Sequence, residues 1–220
     1  MIGLTGCQNS GGSMNQQGVR LFQQGQSPAA IRKFQESIAA NPGNFDAIYN
    51  LAASYHHYGR QSGDQRVLSQ AESLYNQCLD VQPNHVACHR GLAVLLVDTD
   101  RSQRAFNLLR NWVDRVPNLS DARIELARLH DEFNEPESAQ RYLTEAIDIN
   151  PQDARAWTAL AQIRESQGQL AQALNNYEQA YRLNQYQPGV TTKIASLQRN
   201  LAGNPRGSRL VQNDRWRQRR

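Results

Sequence analysis

The chain has 220 residues, of which 39% are apolar and 20% charged, with a net charge of +4 at pH 7. That length allows one large domain or one solenoid; the composition is too apolar for a disordered chain and thin for a single spherical core. Lys33 and Lys193 are the only lysines, and Arg206, Arg209, Arg215, Arg217, Arg219 and Arg220 crowd the tail beside one acid, Asp214, so the body is near neutral and the basic character is the tail's.

At the amino end, Leu4-Thr5-Gly6-Cys7 is followed by a Gly/Ser/Asn-rich stretch from Gln8 to Ser13, the composition of a flexible tether. The four residues resemble a bacterial lipobox. That resemblance implies cleavage before Cys7, lipidation of Cys7 and a membrane attachment; two or more acyl chains hold a protein stably to a bilayer, whereas one is marginal. No segment approaches the ~20 apolar residues of a membrane helix; Leu92–Val97 is the longest strongly apolar run.

An internal period organises the rest. Asn41-Pro42, Gln82-Pro83, Val116-Pro117 and Asn150-Pro151 break the chain at steps of 41, 34 and 34 residues, and Ala30, Ala71, Ala105, Ala139 and Ala173 repeat at 41, 34, 34 and 34. The longer first step carries a seven-residue insertion. The loop chemistry of Gly59 to Gln65 places it in the turn inside one unit.

Each unit reads as two helices. In the fourth, Ser120 is expected as the N-cap, with Ile124, Leu126, Ala127 and Leu129 along the first helix. Asn134-Glu135-Pro136 makes the turn, with proline where a missing N–H costs nothing. Ala139, Tyr142, Leu143, Ala146 and Ile147 give the second helix an apolar face, and Asn150-Pro151 ends it. Gly18, Ala52, Ala93, Ala127 and Ala161 fall where the two helices of a unit cross, and small side chains there let the helices approach closely.

Trp157, Leu160-Ala161, Gly168, Ala173, Tyr177 and Ala180, with Ile48, Leu51-Ala52, Tyr55, Gly59, Ala71, Tyr75 and Pro83, resemble the tetratricopeptide repeat pattern. The third unit departs from it at Asp100, which stands for the turn glycine, and at Trp112. The resemblance covers about residues 12–187 and implies an all-α, right-handed superhelical solenoid. Its five units run over about 12–44, 45–85, 86–119, 120–153 and 154–187. A truncated lipoprotein-signal-like leader and tether is expected over 1–11. A capping helix follows over 188–202, with Ile194, Leu197 and Leu201 on its apolar side, and a basic disordered tail over 203–220.

In this family the first helix of each unit lines a concave groove that receives a protein or peptide. Carried onto this chain, that geometry implies Asp46, Tyr49, His56, Arg90, Val94, Val97, Ile124, Arg128, Asp131, Arg155, Thr158, Gln162 and Glu165 as the partner-binding set. The lysine clamp that family members use for a terminal carboxylate has no counterpart, because no first helix contains lysine. Apolar anchors flanked by Arg–acid contacts are expected instead.

Catalysis is not expected: no Gly-rich phosphate loop, nucleophile elbow or HExxH pattern occurs, and Asp131-Glu132 reads as a solvated face. No cofactor is expected. His85, Cys88 and His89 cluster near a turn but lack the paired spacing of a structural zinc site, so no metal is expected either. Cys78 and Cys88 read as two small buried thiols, with a disulfide as the alternative outside the cytosol. Together these observations point to a non-enzymatic interaction scaffold, lipid-anchored and facing the periplasm in a bacterial envelope, that assists assembly of a complex. The alternative is a cytosolic repeat protein whose Arg-rich tail, with Trp216, binds nucleic acid or another polyanion. The sequence leaves the oligomeric state open.

Overall fold

The computed structural model describes residues 7–203, with side chains from residue 12 onward. Among the described residues there are eleven α-helices and no strand. The chain divides between Leu109 and Arg110 into two compact units. Residues 1–6, part of the expected leader and tether, and residues 204–220 of the expected basic tail, including Trp216, lie outside the described residues.

The first unit opens with α1 (Cys7–Gln23) and α2 (Ser27–Ala40), which pack as a hairpin. Helix α1 starts at Cys7, so Gln8–Ser13, expected as a tether, are helical. Glycines in a helix cost about 1 kcal/mol each against alanine, but the packing of Val19, Leu21 and Phe22 against Phe34 and Leu51 holds the following turns, and the helix extends from there. Helices α3 (Phe45–Ser62) and α4 (Gln65–Val81) form the second hairpin. Helix α5 (Val86–Asp98) packs on α4, and α6 (Ser102–Arg115) follows it.

The seven-residue insertion is not in the turn. Helices α3 and α4 hold 18 and 17 residues, whereas α5 and α6 hold 13 and 14, and the joining turn contains only Gly63 and Asp64. The extra residues lengthen both helices. Gly63 is the left-handed residue that closes α3, at φ 70°, and Asp64 caps α4 by accepting the Arg66 N–H. Gly59, expected as the turn glycine, is instead helical and buried: a Cβ there would stand 2.9 Å from Leu68 Cγ and 3.1 Å from the Leu68 backbone nitrogen. Its lack of a side chain lets the two long helices close on each other.

The second unit contains α7 (Ser120–Glu132), α8 (Pro136–Ile149), α9 (Ala154–Ser166), α10 (Leu170–Leu183) and α11 (Val190–Ala202). The caps follow the sequence signals with one shift. Leu119 is the N-cap of α7, and Ser120, expected there, is the first helical residue and buried. Pro136 opens α8 as expected. Ala139, Leu143, Ala146, Ala156 and Leu160 form one core, and Ala173, Tyr177, Val190 and Leu197 another that seats α11 on α10.

Three-residue turns join helices within both units: Gln24–Gln26, Thr99–Arg101, Phe133–Glu135 and Gln167–Gln169. The middle residue of each is left-handed: Gly25, Asp100, Asn134 and Gly168. In each, the next N–H reaches back five residues, as from Arg101 to the Leu96 carbonyl and from Glu135 to that of His130. This Schellman closure satisfies carbonyls the helix end leaves open. Asp100 and Asn134 show that the closure needs the conformation and tolerates a short polar side chain in place of glycine.

Candidate functional site

The first helices of the units carry equivalent positions at 34-residue steps, 41 across the insertion. Positions 87, 121 and 155 correspond, as do 90, 124 and 158, then 94, 128 and 162, and finally 97, 131 and 165. On α3 the same columns begin at Asp46, Tyr49, Ala53 and His56. Within a helix the four positions follow one another by three or four residues and so share a face. Depth differs between columns because the neighbouring first helix covers one flank of that face.

In the first unit, Asp46, Tyr49 and His56 line α3, while Arg90, Val94 and Val97 line α5. Val94 is 37% exposed, Val97 and Arg90 are half-buried and Asp46 is exposed. Asp46 Oδ1 lies 3.6 Å from His85 Nε2, and the Tyr49 ring leans on His85, with ring centres 5.7 Å apart. His56, expected to face a partner, is buried under Tyr75 and Asp98; its Nε2 meets Asp98 Oδ2 at 3.0 Å. Burial lowers its pKa, and Asp98 opposes that only in part. At neutral pH the neutral imidazole therefore donates to Asp98 and ties α3 to α5. Arg60 joins the same carboxylate at 3.6 Å.

In the second unit, Arg128, Asp131 and Gln162 are exposed, and Thr158 is half-buried. Ile124 does not line the face. It is 3% exposed and packs in the core with Leu143 and Leu160, because α9 covers its column. Arg155 binds Asp121 of α7 at 2.6 Å and its own N-cap Asp153 at 2.7 Å. The Asp153 bond leads in raising its pKa, and Asp121 adds to it. Thr158 donates to the Ala154 carbonyl and meets Gln187 at 2.6 Å. Glu165 is half-buried: it accepts from Tyr177 at 2.9 Å and pairs with Lys193 of α11 at 2.9 Å. Burial raises the Tyr177 pKa, and Glu165 adds to the rise, so the phenol stays a donor. Val94 in the first unit, and Arg128 and Gln162 in the second, are thus exposed at equivalent positions of their repeats, while Arg155 and Glu165 pair with side chains of neighbouring helices.

Cys78 and Cys88 form a disulfide, with Cα atoms 6.5 Å apart. This corrects the expectation of two free thiols. The last turn of α4 and the first of α5 face each other across a short turn, and both residues are fully buried. His85 caps α5, its Nδ1 accepting the Cys88 N–H at 3.2 Å. His89, grouped with them in sequence, points elsewhere, its Nε2 lying 3.0 Å from the Pro83 carbonyl. Cys7 opens α1, but its side chain lies outside the described residues. No helix among the described residues is long and apolar enough to cross a membrane.

Family models described as tetratricopeptide repeat match residues 33–65, 100–163 and 154–187. Protein O-mannosyl-transferase TMTC3 of Homo sapiens is 24% identical over 164 residues, covering 70% of this chain and 18% of its own length. PEX5-related protein of Mus musculus is 26% identical over 102 residues, covering 46% of this chain and 17% of its own. The chain therefore spans under a fifth of these relatives' lengths. Among solved structures, a thermophilic TPR protein of Thermus thermophilus superposes with a TM-score of 0.63 at 19% identity, covering 85% of this chain and 98% of that one. That likeness is one of fold, an all-α helical-repeat solenoid.

Proposed function

The chain belongs to the tetratricopeptide repeat proteins, a family of interaction scaffolds, and from that premise we propose that it holds a protein or peptide segment against its first-helix face. The observation that carries this reading is the exposure of equivalent first-helix positions within each unit. Val94 in one unit, and Arg128 and Gln162 in the other, are solvent-facing, while Arg155 and Glu165 beside the latter two are paired internally. A partner with an apolar anchor and an acidic flank fits these side chains.

We further propose that the scaffold works in a bacterial envelope, anchored through Cys7, and assists assembly of a complex there. A buried disulfide supports an oxidising compartment, and the lipobox-like Leu4–Cys7 supports the anchor. The scaffold is tested by crosslinking pull-down with mass spectrometry from the native host, comparing the wild type with Arg90→Glu combined with Arg128→Glu. Loss of the captured partner supports the face; unchanged capture of every partner rejects it. The anchor is tested by the mass of the amino-terminal peptide and by fractionation. An unmodified Cys7 in the cytosolic fraction would overturn it and favour the polyanion-binding reading of the Arg-rich tail.

A further inference from the structure

The junction between α4 and α5 gathers three soft or borderline donors. Cys78 comes from the last turn of α4, His85 is the N-cap of α5, and Cys88 stands three residues further on. Their ligand atoms all lie within 4.8 Å of one another. The sequence spacing hides this, because the cluster is made by the fold of the short turn between the helices.

We propose that in the dithiol state Cys78, His85 and Cys88 form a binding site for a divalent cation of the zinc class, the disulfide being the alternative closure of the same site. Zinc takes thiolate at about 2.3 Å and imidazole at about 2.0 Å in a tetrahedron, so donor atoms stand roughly 3.3–3.8 Å apart. The cluster already spans no more than 4.8 Å. With Cα atoms 6.5 Å apart, side-chain rotation alone opens the two sulfurs to that separation. Cys88 lies in the first turn of α5, where the helix's free N–H groups favour a thiolate.

His85 supplies the third donor through Nδ1, whose lone pair accepts the Cys88 N–H at 3.2 Å in the disulfide form; binding the cation takes that lone pair and gives up the cap. Its Nε2 lies 3.6 Å from Asp46 Oδ1, so a small movement of the exposed Asp46 side chain brings the two into hydrogen-bond range. A carboxylate accepting the outer N–H of a metal-binding imidazole fixes its tautomer and raises its basicity. Asp46 is thus a positioning residue, and the fourth coordination position is left to water. Cys78 and Cys88 pack beside Phe45 and Ile48, half-buried His85 stands on the solvent side of the junction, and the two thiolates select against hard cations.

The two closures exclude each other. To make the S–S bond the α4–α5 junction must open, because both cysteines are fully buried; one thiolate then attacks an external disulfide and releases a thiolate from it. The second cysteine then displaces the other half. Two electrons pass to the external disulfide, which ends as two thiols, and the cation is released. The inference does not rest on the partner-binding proposal; the redox compartment sets which closure is populated.

The test uses the full chain, reduced with a phosphine, stripped of metal and titrated with Zn2+ against a chromophoric chelator and, separately, with Co2+. The expected result is one equivalent bound, with a thiolate-to-cobalt charge-transfer band. The disulfide form should bind none, and the zinc-loaded form should resist oxidation by an external disulfide. His85→Asn keeps a capping oxygen on α5 while removing the donor. It should melt cooperatively yet bind zinc at least tenfold more weakly. Asp46→Asn should weaken binding by about tenfold. Absence of zinc binding by the reduced wild type, binding without a thiolate band, or full affinity in a folded His85→Asn chain would each overturn the proposal.

Discussion

The α3–α4 hairpin of the first unit and the α7–α8 hairpin of the second solve the same packing problem in different ways. In α7–α8, helices of 13 and 14 residues meet through Ala127 and Ala139, both fully buried, and the turn closes on left-handed Asn134. In α3–α4 the helices run to 18 and 17 residues, the close approach continues to a buried Gly59, and a disulfide fastens α4 to the next helix. An insertion that respects the helix contact extends it and leaves later repeats in register. The longer hairpin then needs a residue without a side chain at its far end.

Breaking the regular hairpin should give the largest effect. Leu143 is 1% exposed in the core that joins α7, α8 and α9, and Leu143→Ala is expected to cost about 3 kcal/mol, read by urea denaturation. Next comes the covalent fastening. Removing it with Cys78→Ser and Cys88→Ser frees a loop of ten-residue separation, for which chain entropy gives roughly 3 kcal/mol at most. The double variant should melt below the oxidised wild type and match the wild type in reductant. If oxidised and reduced wild type melt alike, the disulfide does not fasten the first unit. Gly59→Ala sharpens the comparison at smaller scale. Alanine favours a helix by about 1 kcal/mol, so a loss of about 1 kcal/mol would show that the clash with Leu68 outweighs propensity, whereas a gain would show that the long helices have room to spare. The smallest effect is a gain: Asn134→Gly should stabilise by about 0.5–1 kcal/mol, because glycine adopts the left-handed turn without a Cβ penalty.

The repeat register was legible because alanines at the helix crossings and prolines after the second helices recur at fixed steps. Small size and lost N–H groups act locally, so sequence records them directly. The sequence points the insertion to the turn because glycine serves two needs. Gly59 has the look of a turn residue but is a contact residue, and nearby Gly63 supplies the left-handed turn. The first-helix face was legible as a direction but not as a depth. Ile124 and His56 share the face of Arg128 and Val94, yet a neighbouring helix covers one and the Tyr75–Asp98 pair encloses the other. Periodicity cannot report what lies on the flank of a helix. The Cys78–Cys88 bond was undecided for a related reason: a ten-residue spacing does not say which sides of α4 and α5 meet.

Whether a partner sits on the first-helix face is decided by position-resolved photocrosslinking within the second unit. A photoreactive residue is placed in turn at Arg128, Asp131 and Gln162 on the first helices α7 and α9, and at Arg141, Thr144 and Asp148, exposed on the second helix α8. One shared adduct is expected, strongest at Arg128 and Gln162 and absent from the α8 positions. Equal crosslinking from both sets, or adducts confined to α8, would contradict it.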